Sequence, residues 1–238
     1  GEPTPYDEYW PSRSSYFGAY DLAGLPKDRY YLYRSVWNKK EPTLHLLPHW
    51  TWNGREGQTT PVFCYSSYPE TELFVNGKSQ GRRRKAGKEV QGEAATGKAA
   101  TPEEAKQRAK RYRIMWDNVV YEPGELKVVA FDEQGKTVDS VSVFTAGKPH
   151  KLLLEADKST CDIPGANLVY ITVTMLDEQG NPVPDADNEL FFTVSGTGHF
   201  KAVCNGDPTS LQSFTEPHMK LFHGKLVVIV EGDNKKGD

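Results

Sequence analysis

Trp50 and Trp52 stand two residues apart beside His49, followed by an Asn53-Gly54 turn, and Tyr68 comes one strand length later. Flat aromatic faces at such a spacing can stack on the apolar faces of sugar rings, so Trp50, Trp52 and Tyr68 form one candidate carbohydrate platform. The same tryptophans suit a wedge sealing one domain against its neighbour. Other chemistry is harder to assemble. The six histidines, His45, His49, His150, His199, His218 and His223, form no H-E-x-x-H pair, and the chain lacks a G-x-S-x-G elbow, a Walker loop and a G-x-G-x-x-G turn. Cys64, Cys161 and Cys204 are too few and too scattered for a disulfide framework or a zinc site. They read as small buried hydrophobes, with a Cys161–Cys204 bridge left open for an exported protein. Asp177, Asp185 and Asp187 are turn residues first. Asn205-Gly206-Asp207-Pro208-Thr209-Ser210 offers oxygen ligands, but a calcium site wants more carboxylates at tighter spacing.

These residues need elements to hold them. Pro26 and Asp28 supply start chemistry for a helix over 26–37, and Lys39, Lys40 and Pro42 end it, with cations favourably placed at its C-terminus. Tyr30, Tyr33, Arg34 and Trp37 fall at i, i+3, i+4 and i+7, so three rings and one long cation share a face. A helix this short is marginal alone in water, and a face this aromatic calls for a partner. From Leu44 the period changes to that of strands: 60–68, 71–75, 115–121, 124–132 and 136–146, then a strongly alternating segment from His150. There, Val169, Ile171, Val173 and Met175 face one way, and Tyr170, Thr172 and Thr174 the other. A last strand is expected over 222–230. Asp132-Glu133-Gln134-Gly135 and Asp177-Glu178-Gln179-Gly180 repeat one hairpin turn forty-five residues apart, a weak sign of two copies of one plan. Short antiparallel strands with turn residues between them predict a mainly β chain of sandwiches.

Residues 85–107 differ, being rich in Ala, Gly, Lys, Glu and Thr, with a capping box at Thr101-Pro102-Glu103-Glu104. Arg82, Arg83, Arg84, Lys85, Lys106, Arg108, Lys110, Arg111 and Arg113 make the surroundings of this 82–112 insertion basic. No stacking platform accompanies them, so a solvated hairpin extension is preferred to a nucleic-acid patch. The net charge of −3 gives no general pull toward nucleic acid or anionic membrane. No apolar run of about eighteen residues occurs, and the acidic, proline-broken start does not read as a signal peptide.

The motifs also carry a family likeness. GEPTPY, YFGAYDLAGLPKDRYYLYRSVW, LHLLPHWTWNGREG, ELFVNGKSQGRRRK, WDNVVYEPGELKVVAFDEQGK and the NGxPTS-type loop at 205–210 together resemble the end of the catalytic barrel and the following domains of bacterial β-galactosidase-type members of glycoside hydrolase family 2. The resemblance implies a last loop and helix of a (β/α)8 barrel at 1–40, an immunoglobulin-like β-sandwich at 41–147 and a second one, truncated, at 148–238. It puts Glu2, Tyr6 and Trp10 on the loop after the last barrel strand, near the rim of a sugar pocket. It favours the wedge for Trp50 and Trp52, because the family places that segment directly after the barrel. It implies a parent that cleaves terminal β-galactosides with retention, using two glutamates about 5 to 5.5 Å apart, neither of which matches a carboxylate here. The chain itself is then expected to be inactive, with no cofactor and no metal. Its implied partners are its own barrel and, through the parent, a β-galactoside or oligosaccharide, with self-association left open. A periplasmic or extracellular site is implied. The alternative from another class is a stand-alone carbohydrate-binding or adhesin-type module.

Overall fold

The computed structural model describes residues 17–86, 109–160 and 167–233 of the chain. They fall into two compact units, one comprising Asp28–Thr145 and the other Gly1–Lys27 with Ala146–Asp238. The helix expected within 1–40 therefore belongs to the first sandwich, while described residues N-terminal to it belong to the unit that holds the second.

The Asp28–Thr145 unit opens with α1 (Asp28–Trp37). Its start lies two residues later than the helix chemistry of Pro26 suggests. Leu25 donates its amide to Asp21 Oδ1 and Lys27 to the Ala19 carbonyl, which keeps Pro26 in a turn bridged to Tyr20. The end is capped as the cations suggest, Lys39 Nζ donating to the Val36 carbonyl at 2.7 Å. Strands β1 (Leu44–Leu47), β2 (Val62–Ser66) and β5 (Ile114–Trp116) form one sheet in the order β1-β2-β5. The second sheet has the order β4-β3-β6-β7, from β3 (Glu70–Val75), β4 (Lys78–Arg84), β6 (Glu125–Phe131) and β7 (Thr137–Phe144). Alternate residues of both sheets meet in one core: Leu46, Val62, Cys64, Ile114 and Trp116 from the first, Leu73, Val75, Leu126 and Val128 from the second. Trp50 and Tyr121 close this core from loops, their rings edge to face at 5.0 Å. Asn76 and Gly77 both take positive φ, 49° and 77°, as a two-residue hairpin between β3 and β4 requires.

The other unit is a four-stranded sheet ordered β11-β13-β9-β8 and a two-stranded sheet of β10 and β12. The strands are β8 (Lys151–Ala156), β9 (Leu168–Leu176), β10 (Glu189–Phe191), β11 (Gly198–Cys204), β12 (His218–Lys220) and β13 (Lys225–Gly232). The last described strand starts three residues later than the apolar pattern suggests, because His223 and Gly224, with φ of 51° and 72°, form the turn before it. Val173 and Met175 of β9 point into the core with Val203, Leu226 and Val228, while Tyr170 stands in solvent, as the alternation of β9 predicts. All the named strand pairings are antiparallel.

The repeated turns have one geometry. Asp132 and Asp177 each accept from the glycine three residues on, donate to the carbonyl of the fourth residue on, and accept on Oδ1 the amide of that fourth residue. Gly135 and Gly180 supply the positive φ, 79° and 92°.

Candidate docking face and carbohydrate platform

α1 lies on β1 and β2 by one side only. Tyr31 stacks on His45 at 3.9 Å, His45 pairs with the Asp28 carboxylate at 2.7 Å, and Ser67 Oγ donates to the Ser35 carbonyl. Ser35 is the one buried residue of the helix. Burial raises the Tyr31 and Tyr65 hydroxyl pKa values above the ordinary tyrosine value, so both phenols stay neutral in this seam. The stripe at i, i+3, i+4 and i+7 points elsewhere. Tyr33 and Trp37 stack on each other at 4.9 Å with their planes 15° apart, and they are 38% and 72% exposed. Arg34 reaches Glu41 at 2.9 Å. The sequence groups these residues correctly. Within this unit Tyr33 and Trp37 are surface rings rather than core residues.

The candidate platform does not assemble. Trp50 is fully buried, its Nε1 donates to the Glu122 carbonyl and its own carbonyl accepts from Thr145 Oγ1, so neither face is open to a sugar. Trp52 is half-buried against the same core, with the His49 ring stacked on it at 4.1 Å and the Arg55 guanidinium over its ring at 5.0 Å, so its ring already has partners within the unit. Tyr68 donates its hydroxyl to Asp139 at 3.3 Å, on another part of the unit. A spacing of i, i+2 puts two side chains on one face only in a strand; this segment is a loop, and Pro48 before it follows a cis peptide bond. The rim candidates Glu2, Tyr6 and Trp10 lie outside the described residues.

The three arginines of β4 are committed to their neighbours. Arg82 pairs with Glu70 at 2.7 Å and lies over the Phe131 ring, Arg84 pairs with Glu133, and Arg83 donates to the Met115 carbonyl while lying over Trp116. Residues 87–108, which hold most of the insertion and the predicted helix start at Thr101, lie outside the described residues. The oxygens of the 205–210 loop are likewise spent at home: Asp207 Oδ1 accepts from the Thr209 amide and hydroxyl at 2.8 and 2.7 Å. The buried Cys64 thiol is pushed up to about 12 by burial, which makes it inert rather than nucleophilic. Cys204 Sγ donates to the Leu22 carbonyl at 3.4 Å, and Cys161, its suggested partner, lies outside the described residues.

Asp177 does more than form its turn. Asp177 is only 1% exposed. Besides the turn bonds, its Oδ2 accepts from the Gly147 amide at 2.8 Å and Asn181 Nδ2 at 3.1 Å. Burial pushes its pKa up, but the hydrogen bonds from Gly147, Asn181 and Gly180 outweigh it, and the carboxyl sits below the ordinary aspartate value. The second copy of the turn thus also pins the entry of the chain into its unit, which the first copy does not do.

Residues 152–238 match the glycoside hydrolase family 2 C-terminal domain 5, and residues 57–139 match a domain of unknown function, DUF4982. The chain is 44% identical, over all 238 of its residues, to Beta-galactosidase BoGH2A of Bacteroides ovatus, of which it spans 25%. This is C-terminal sequence of glycoside hydrolase family 2. A putative beta-glucuronidase of Formosa agariphila is 32% identical over 216 residues, covering 87% of the chain and 18% of that protein. The crystal structure of a beta-glycosidase from Bacteroides vulgatus superposes with a TM-score of 0.81 at 35% identity, covering 96% of the chain and 26% of that structure. This family 2 chain therefore spans about a quarter or less of the length of each of these relatives. It resembles the portion of such glycosidases that lies C-terminal to their other domains, and its mainly β units fit that portion.

Proposed function

We propose that this chain is the non-catalytic C-terminal part of a retaining, β-galactosidase-like enzyme, in which the two sandwiches brace the catalytic barrel and α1, held to the first sandwich, turns its exposed rings toward it. The stacked Tyr33–Trp37 pair carries this reading. A helix held to its own sandwich by Tyr31 and Ser35 has no use of its own for two large rings left in water, and burying them against the rest of the enzyme removes apolar surface from solvent. Galactose is preferred because the 44% identical relative is called a β-galactosidase, and the weaker match to a putative β-glucuronidase sets the competing sugar. The alternative of a free-standing carbohydrate module loses its main support with the burial of Trp50.

Chromogenic β-galactoside and β-glucuronide assays on the 238-residue chain and on the longer protein test the proposal. Turnover of the galactoside by the longer protein and none by the chain is expected. Turnover by the chain alone would overturn the non-catalytic assignment, and a preference of the longer protein for the glucuronide would overturn the choice of sugar. Titration calorimetry of the chain with galactosides and β-glycans is expected to give no saturable heat that Trp52→Ala abolishes.

A further inference from the structure

β8 is the edge strand of its sheet, and all six of its residues are exposed. Leu152, Leu153 and Leu154 are 40%, 40% and 60% exposed. Leu152 and Leu154 stand opposite Met175 and Val173, so they extend the core-facing side of β9, and Leu153 stands opposite Thr174 on the other side. Both faces of this strand are thus apolar and wet. A solvent-exposed edge strand is normally protected by a bulge, a proline or a central charge. β8 has none of these: its pairing with β9 runs without a register shift from Lys151 to Ala156, and its charges flank the leucines. The Asp157 amide donates to the Tyr170 carbonyl at 2.9 Å, and alternation from that bond turns the amides and carbonyls of Leu152 and Leu154 away from β9, toward the open edge.

The sequence Lys151-Leu152-Leu153-Leu154-Glu155 is complementary to its own reverse. In an antiparallel pair centred on Leu153, Lys151 faces Glu155 of the partner subunit and Leu152 faces Leu154 of the partner subunit. Each Leu152–Leu154 pair exchanges both main-chain hydrogen bonds, because these are the residues whose backbone groups point outward. We propose that β8 is a self-association edge, pairing two copies of this chain about a two-fold axis through Leu153 and joining their four-stranded sheets into one. A two-fold interface is the arrangement in which a single surface must be complementary to itself, and the placement of one cation and one anion symmetrically about three leucines meets that condition.

Sedimentation velocity on the full 238-residue chain tests this, with circular dichroism confirming that each variant is folded. The wild type is expected to be a dimer that dissociates on dilution. Lys151→Glu places two carboxylates opposite each other at both ends of the pair and is expected to weaken association by about tenfold. The double variant Lys151→Glu/Glu155→Lys restores opposite charges in reversed order and is expected to recover the wild-type dissociation constant. The register has its own readout. Leu153→Cys is expected to form a disulfide with its own copy under mild oxidation, since facing non-hydrogen-bonded residues lie about 4.5 Å apart at Cα, whereas Leu154→Cys is expected not to. A wild-type monomer would give the edge to another occupant and overturn the proposal. So would a dimer indifferent to Lys151→Glu, a double variant that fails to recover, or cross-linking that favours Leu154→Cys.

Discussion

Asp177 shows how a turn residue becomes a structural anchor through one extra set of donors. Replacing it with alanine removes the acceptor for the Gly147 amide, the Asn181 amide and Asn181 Nδ2 in a nearly closed site. The expected cost is about 2 to 4 kcal/mol, since each buried donor left without a partner costs about 1 to 3 kcal/mol and the turn can relax around some of them. Urea unfolding of Asp177→Ala against wild type measures it. The matching change at Asp132, whose turn is exposed, is expected to cost less than half as much. The pH dependence follows from the lowered pKa. A carboxyl whose folded pKa lies below its unfolded value of about 3.9 contributes its full stabilisation above that value and loses it as pH falls through the folded pKa. The stability gap between wild type and Asp177→Ala should therefore be constant near neutrality and shrink on acidification below about pH 4. A gap that widened on acidification would contradict the assignment.

At the scale of elements, the two tryptophan sites make opposite predictions from one residue type. Trp50→Ala empties a fully enclosed site and is expected to cost about 3 to 5 kcal/mol in unfolding experiments on this chain. Trp37→Ala removes a ring that touches mainly Tyr33, and is expected to cost no more than about 1 kcal/mol in the same chain. This contrast was only half legible in the sequence. Periodicity located α1, most strands of the first sandwich, and β9 and β13 of the second, because a half-buried strand must alternate and a short helix must repeat near every fourth residue, while Asn76-Gly77 marked the hairpin; β8, β10, β11 and β12 carry no comparable pattern of their own. Periodicity states which residues share a face and not which face meets the core. Tyr31 rather than Tyr33 faces the sheet because His45 stacks on it and Ser67 binds the carbonyl of Ser35 on the same side of the helix, both distant in sequence. Trp50 and Trp52 do not share a face for a related reason: they stand on a loop, which does not follow strand alternation. The three consecutive leucines of β8 were a visible sign, since apolar residues at successive positions cannot all be buried by a strand with one covered face.

For the whole molecule, the exposed rings of α1 are the proposed seam with the remainder of a longer family 2 glycosidase, and the sandwiches its proposed braces. The chain is matched over most or all of its length by relatives of which it spans about a quarter or less. The most direct test compares the shift in unfolding midpoint caused by Trp37→Ala in the isolated chain with the shift of the same transition in the longer protein. The seam predicts a small shift in the isolated chain and a loss of at least about 2 kcal/mol in the longer protein, as for a buried aromatic anchor at an interface. Equal, small shifts in the two contexts would mean that Trp37 remains in water there too, and would contradict the account.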